Sequence, residues 1–425
     1  MRQFICTVLV IFSVNALIPA AQAVGHDKPI TRVSIDSQGH EADGDSSQPA
    51  ISADGRFVAF TSTSSNLAPG QLRDICHILV HDRVTGQTSL TSVSTSGEPA
   101  TEHCLHPAIS DDGRFVTFAS FASNLVDDDT NKRSDIFVHD RHTGETTRIS
   151  VSARGIESND HSSLPAISAD GRFVVFSSDA DNLVPNDTNG RRDIFVHDRH
   201  TGEVELVSVD SAGHPANSHS YAPDISDDGR FVVFYSHADN LVPHDSNRVT
   251  DIFVHDRQHH ITTRCSVDSA GAEADGYSLE PRISGDGHYI VFSSFAHNLV
   301  PEDSNRLRDV FLYDRIDKKT TRLSNTPGDA GKDMRCFKPN ISADSRFITY
   351  ISGHSQLVIH DRANGSFTQL THTEQDQQRG WSHNESAISA GGDIVVFSST
   401  ASTLVAGDSN NQRDIFAAFL PDLKY

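Results

Sequence analysis

Residues 165–176 read Pro-Ala-Ile-Ser-Ala-Asp-Gly-Arg-Phe-Val-Val-Phe, and close relatives of this stretch return along the whole chain. ISADGRF begins at Ile51, ISDDGRF at Ile109, ISADGRF at Ile167 and ISDDGRF at Ile225; ISGDGHY, ISADSRF and ISAGGDI follow at Ile283, Ile341 and Ile388. The first five intervals are each 58 residues and the last is 47. A second marker keeps the same step: ILVHDR ends at Arg83, IFVHDR at Arg141, Arg199 and Arg257, and FLYDR at Arg315. A chain of 425 residues would ordinarily divide into two or three domains, but seven copies at a fixed period make one repeat array.

Each repeat reads as four short strands. In the third, Pro165–Ser168 forms the first, Asp170-Gly171 supplies a tight turn, and Arg172–Ser177 forms the second. Its Phe-Val-Val-Phe core is apolar on both faces, as in a strand covered by a sheet on either side. A long polar loop leads to a third strand at Asp193–Asp198, and a Thr201-Gly202 turn leads to a fourth at Glu203–Val209. Four antiparallel strands repeated seven times predict an all-β, seven-bladed β-propeller. The seventh repeat ends at its third strand, Asp414–Phe419, whereas Thr31–Asp36 resembles the fourth strand Thr147–Ser152. The N-terminal strand is therefore expected to complete the last blade and remove an open sheet edge.

Residues 1–23 stand apart. Met1-Arg2, an apolar run from Phe4 to Ile18 and an Ala21-Gln22-Ala23 end have the form of a secretory signal peptide. The propeller then occupies 24–425, and export to the periplasm or beyond is expected. No later segment is apolar for long enough to span a membrane. Cys76, Cys104, Cys265 and Cys336 remain after the leader, too few for a disulfide-built scaffold, with Cys76 and Cys104 the pair best placed to bridge. The balance of 35 Lys+Arg against 57 Asp+Glu, −22 overall, argues against nucleic-acid binding and is compatible with cations.

The Pro-x-Ile-Ser-x-Asp-Gly-Arg-Phe and Asp-Ile-Phe-Val-x-Asp-Arg signatures resemble the WD-like repeats of TolB-type bacterial propellers, over about residues 30–425. The resemblance implies a periplasmic binding module. Related propellers are attached to peptidases or act as polysaccharide lyases. The extra N-terminal domain of TolB is missing here, and the loops between second and third strands are longer.

Those loops and the inter-blade connections fall on one face, and the short Asp-Gly and Thr-Gly turns on the other. Long loops on a rigid scaffold usually carry function. Five of them repeat Asp-[Ser/Thr]-Asn-x-x-x-Asp, as Asp129/Asn131/Asp135, Asp187/Asn189/Asp193, Asp245/Asn247/Asp251, Asp303/Asn305/Asp309 and Asp408/Asn410/Asp414. Alternating oxygen ligands suit Ca²⁺, although the Gly and terminal Glu of an EF-hand loop are missing. The same residues also form Asx turns, with the last Asp capping the third strand. Repeat one has Gln71, Arg73 and His77 instead, and repeat six lacks the loop. The recurring His81, His139, His197, His255 and His360 lie in separate blades, which points to local structural hydrogen bonding.

Departures from the repeat are more telling. After the Pro of the inner strand come Ala50, Ala108 and Ala166, then Asp224, Arg282 and Asn340; before it lie Glu280 and Lys338 in repeats five and six. Asp224, Glu280, Arg282, Lys338 and Asn340 form a candidate ligand-binding arc at the mouth of the central channel. Trp381 is a candidate stacking residue. The leading expectation is a monomeric binding module for a protein or a saccharide. The alternative is a polysaccharide lyase or glycoside hydrolase, with His103, His106, His161, His219 or His383 as metal or base. No nucleophile elbow, phosphate loop or His-Glu-x-x-His occurs.

Overall fold

The computed structural model describes residues 30–324, 335–353, 356–370 and 385–420. They form 28 strands, β1 to β28, in seven antiparallel four-stranded sheets. Blade three is representative: β10 (Ser162–Ile167), β11 (Phe173–Ser178), β12 (Asp193–Asp198) and β13 (Val204–Leu206) lie side by side in chain order. Inner strands of successive blades touch around the ring, and β26 (Ser386–Ile388) of blade seven meets β2 (Ser46–Ile51) of blade one. Closure follows the expected route: β1 (Ile30–Arg32) pairs antiparallel with β28 (Asp414–Phe419), placing Ile30 opposite Ala418. Among the described residues, no helix is long and apolar enough to cross a membrane. The proposed leader, 1–23, lies outside them.

The doubly apolar second strand is explained by the seams. Val174 and Phe176 pack into the cluster shared with blade two, while Val175 packs with Val232 and Phe234 of blade four. Each of the seven seams has its own apolar cluster, including the closing seam, where Val58 and Phe60 meet Ile394 and Val396.

The Asp-Gly-Arg-Phe motif is an inter-blade device as well as a turn. Ser168 Oγ accepts the Phe173 N–H at 2.9 Å and donates to Asp170 Oδ1 at 2.7 Å, which closes the turn. Gly171 has φ +72°, and a Cβ there would lie 2.3 Å from Phe115 of blade two. The Phe115 ring lies between Arg114 of its own blade and Arg199 of the next, 4.6 and 4.0 Å from its centroid. Arg114 also makes a bidentate pair with Asp140, at 2.9 and 2.7 Å. The two repeat signatures are thus two halves of one seam contact. Below them, a cycle of backbone hydrogen bonds passes from blade to blade, one donor per blade. Ala53 donates to Asp111, Asp111 to Ala169, Ala169 to Asp227, Asp227 to Gly285 and Gly285 to Ala343; Asp344 then donates to Ala390, and Ala390 returns to Ala53 at 3.1 Å.

Two expectations change. In blades one to six the inner strand begins before its Pro, because a β-bulge lets pairing continue past a residue without an N–H. Cys76, Cys104 and Cys265 are free thiols, so the Cys76–Cys104 bridge does not form. The Cys104 N–H does bond to the Cys76 carbonyl at 2.7 Å, but Cys104 Sγ turns inward to Ser120 Oγ, and burial pushes its thiol up to about 12.

Gly171→Ala should cost about 2–4 kcal/mol, combining a left-handed alanine with overpacking against Phe115. Blade six offers the inverse case, because Ser345 occupies the glycine position at φ +65°. Ser345→Gly is expected to stabilise by roughly 0.5–1 kcal/mol. Denaturant unfolding of both variants checks the pair.

Candidate functional site

The inner-strand bulges shape the central channel. The residue before each Pro adopts positive φ, from 47° at Ala222 to 56° at His106 and Glu280. This turns three consecutive residues per blade toward the axis. They enclose a cavity of about 370 Å³, within the range of small-molecule sites. All five residues of the candidate arc line it: Asp224, Glu280, Arg282, Lys338 and Asn340. They stand mid-strand, so the cluster is inside the channel rather than at its mouth. The opposite wall is apolar, with Ala50, Ala108, Leu164 and Ala166.

The arc is only partly self-satisfied. Glu280 is a brace: its Oε2 accepts the Lys338 N–H at 2.7 Å and pairs with Arg308 at 2.7 Å. Gln48 plays the same part in blade one, accepting the His106 N–H at 2.9 Å. Lys338 Nζ meets Glu385 at 3.2 Å, and Asn340 Nδ2 donates to the Ser386 carbonyl at 3.0 Å. Asp224 Oδ2 accepts the Ile283 N–H at 3.0 Å; burial holds its carboxyl above the ordinary range, with Arg282 partly offsetting it. Arg282 itself donates to the Pro281 carbonyl at 2.9 Å. Among the described residues, no carboxylate lies within 4.0 Å of it. Two buried atoms in the channel lining lack hydrogen-bond partners, Glu385 Oε2 in blade seven and His106 Nδ1 in blade two, across from the arc.

Glu385 was not anticipated. It holds the pre-proline position of blade seven, but Ser386 stands where the Pro belongs, so the sequence marker was missing. At the turn-side end of the channel, Asp111 and Asp227 were also passed over, because they sit inside the repeat signature itself. Burial first, then the like charges of Asp111 and Asp224, push Asp227 up to about 6.

The five Asp/Asn loops form the expected Asx turns. Asn131 Oδ1 accepts the Arg133 N–H at 2.7 Å, and Asn131 Nδ2 donates to Asp135 at 2.8 Å. Asn189, Asn247, Asn305 and Asn410 likewise accept the N–H two residues on. The last Asp of each loop opens the third strand and is buried. In four blades a fourth-strand arginine enters the carboxylate cluster. Arg148 lies 3.7 Å from Asp129, Arg264 3.2 Å from Asp245 and 3.6 Å from Asp251, Arg322 3.3 Å from Asp303 and 3.1 Å from Asp309, and Arg32 3.4 Å from Asp408 and 3.8 Å from Asp414. In blade three that position is Leu206.

Three of the five recurring histidines act locally, as expected: His81, His139 and His255 each bond a threonine hydroxyl through Nδ1, whereas His197 Nδ1 bonds the Ile149 carbonyl of blade two and His360 Nδ1 has no hydrogen-bond partner among the described residues. His255 also comes within metal-ligand spacing of Glu205 and His260, but Glu205 is already paired with Arg257 at 2.7 Å. His103, His161 and His219 do not fit a metal or base role. Each Nδ1 accepts a backbone N–H of the preceding blade at 3.0 Å, which leaves the proton of His103 and His219 on Nε2, while His161 Nε2 is taken up by Arg133 at 3.3 Å. Trp381 and His383 lie outside the described residues.

No protein-family model and no curated protein matches the sequence. Among solved structures, an oligogalacturonate lyase from Vibrio parahaemolyticus aligns with TM-score 0.56 and 13% identity, over 92% of this chain and 94% of that one. An oligogalacturonate lyase in complex with manganese aligns with TM-score 0.55 and 13% identity, over 92% and 96%. TolB from Acinetobacter baumannii aligns with TM-score 0.42 and 17% identity, over 81% and 76%. At these identities the likeness is one of fold.

Asp227 gives a pH test. A carboxyl raised in the folded state destabilises at pH above about 6, and that penalty disappears as the pH falls toward the unfolded value near ~3.9. Asp227→Asn should therefore stabilise by about 1 kcal/mol at neutral pH, after allowance for screening, and by nothing near pH ~4. Thermal unfolding at the two pH values checks it.

Proposed function

We propose that the chain is an exported binding propeller that takes a small, hydroxyl-rich, anion-bearing ligand, such as a short acidic saccharide, into its central channel. The observation that carries this reading is Arg282, a guanidinium lining a cavity of about 370 Å³ with no described carboxylate within 4.0 Å. Its bidentate donor fork suits a carboxylate. Asn340, Lys338 and the unpartnered His106 and Glu385 atoms offer further polar contacts, while the Ala50–Ala108–Ala166 wall suits the apolar face of a sugar ring. Export rests on the leader-like residues 1–23.

A saccharide-cleaving reading has one observation of its own. Asp224, beside Arg282, is held above the ordinary carboxylate range and could supply a proton in the channel. The lyases of similar fold add no residue assignment at 13% identity.

Calorimetric titration of the full chain with short uronic-acid oligosaccharides, and with their neutral counterparts, separates these readings. Binding confined to the acidic set is expected, and Arg282→Ala should weaken it about 10- to 150-fold, the loss of a charge-assisted hydrogen bond. Equal binding of neutral sugars, or indifference to Arg282→Ala, would refute the proposal. Appearance of an unsaturated product, abolished by Asp224→Asn, would assign cleavage instead.

A further inference from the structure

Blade three carries the Asp187/Asn189/Asp193 loop without the cation that its sister loops contain. In blade two, Arg148 lies among Asp128, Asp129 and Glu157, the last at 3.0 Å. Glu157 in turn accepts the Thr130 N–H at 3.0 Å, which ties the loop to the following inter-blade turn. Blade four repeats this with Arg264, Glu273 and Ser246, and blade seven with Arg32, Glu41 and Ser409. In blade three both partners are replaced, the arginine by Leu206 and the glutamate by Pro215. The two carboxylates remain.

Their surroundings differ accordingly. Leu206 joins the apolar cluster with Val184 and Val209. Asp193 is fully buried and accepts Ser208 Oγ and Asn189 Nδ2, both at 2.6 Å. Asp187 is 7% exposed, and neither of its carboxylate oxygens makes a hydrogen bond of full geometry, although the Asn189 backbone N–H faces the group. Among the described residues, no Lys, Arg or His nitrogen lies within 4.0 Å of either carboxylate. A buried carboxylate without hydrogen bonds or a counter-charge is costly.

We infer that Asp187 and Asp193, with neighbouring backbone carbonyls, form a single Ca²⁺ site in blade three, where the ion takes the place of the guanidinium found in blades two, four, five and seven. Two carboxylates and neutral oxygens are the hard donors Ca²⁺ prefers, with water completing the shell. The calcium expected in five loops is thereby confined to one. The site is in a loop rather than the channel, and it stands whether or not the channel binds an acidic sugar.

The test is calorimetric titration of the chelator-stripped full chain with CaCl₂, together with its melting temperature. One Ca²⁺ per chain is expected, with a melting temperature that rises with Ca²⁺ because the ion binds the folded state. Leu206→Arg restores the missing guanidinium; it should abolish Ca²⁺ binding and the Ca²⁺-dependent shift while leaving the protein folded. Asp187→Asn should also lose the binding, and it serves if the first variant does not fold. No binding to the wild type, a stoichiometry near five, or retained binding in either folded variant would overturn the inference.

Discussion

The ring depends on one contact, a glycine without a side chain resting on the aromatic ring of the preceding blade. Gly113 lies against Phe57, Gly171 against Phe115, Gly229 against Phe173, Gly287 against Phe231 and Gly392 against Phe347; Gly55 meets Ile394 instead of an aromatic ring, and blade six holds Ser345 at the position. Positive φ and missing Cβ are needed at the same residue, so only glycine meets both demands without strain. The contact brings neighbouring turns near enough for the backbone cycle through Ala53, Asp111, Ala169, Asp227, Gly285 and Ala390. That cycle fixes the blade spacing, and the spacing fixes the channel.

A scaffold held this way tolerates change where the seam is not involved. The positions on either side of the inner-strand Pro line the channel, and they vary from blade to blade. After the Pro, Ala108 and Ala166 persist in blades two and three while Asp224, Arg282 and Asn340 occupy blades four to six; before it, the residue differs in each of blades one to six, from Gln48 to Lys338. The outcome is a channel more polar on one side than on the other. Some of that polarity braces the scaffold, as Glu280 does through Lys338 and Arg308. Arg282 donates to the Pro281 carbonyl and offsets the buried Asp224 without an ion pair within 4.0 Å among the described residues, which separates it from a brace such as Glu280.

The 58-residue period made the blades, their order and the closing strand legible, because each strand is bounded by the same turn chemistry. The channel arc was legible for the same reason: a departure from a regular pattern stands out at a known position. What stayed hidden depended on contacts between distant positions. Glu385 was obscured by Ser386 replacing the marker Pro. His103, His161 and His219 looked available until their Nδ1 atoms proved to latch onto the preceding blade. The placement of the channel residues shifted inward because the bulge at each X-Pro step cannot be read from alternation alone.

The Asp/Asn loops show why charge must be read in three dimensions. Counted along the chain they are ten carboxylates contributing to a net charge of −22. In space, each pair is a local problem of burial, and the repeat meets it in more than one way. Blades two, four, five and seven insert an arginine from the fourth strand. Blade one removes the charge. His77 replaces the last Asp, accepts the Leu72 N–H at 3.1 Å, and is pushed down to about 4 by burial and His103, so it is neutral. Gln71 replaces the first Asp and bonds the loop backbone at 2.8 and 2.7 Å. Blade one has Leu90 and Pro99 where blade three has Leu206 and Pro215, so the arginine and glutamate are lost together in both. Only in blade three do the carboxylates persist after that loss. The loop that keeps two buried acids while discarding their built-in cation is the one in which we infer a cation from solution, because in the other four a guanidinium already lies within 4.0 Å of a carboxylate.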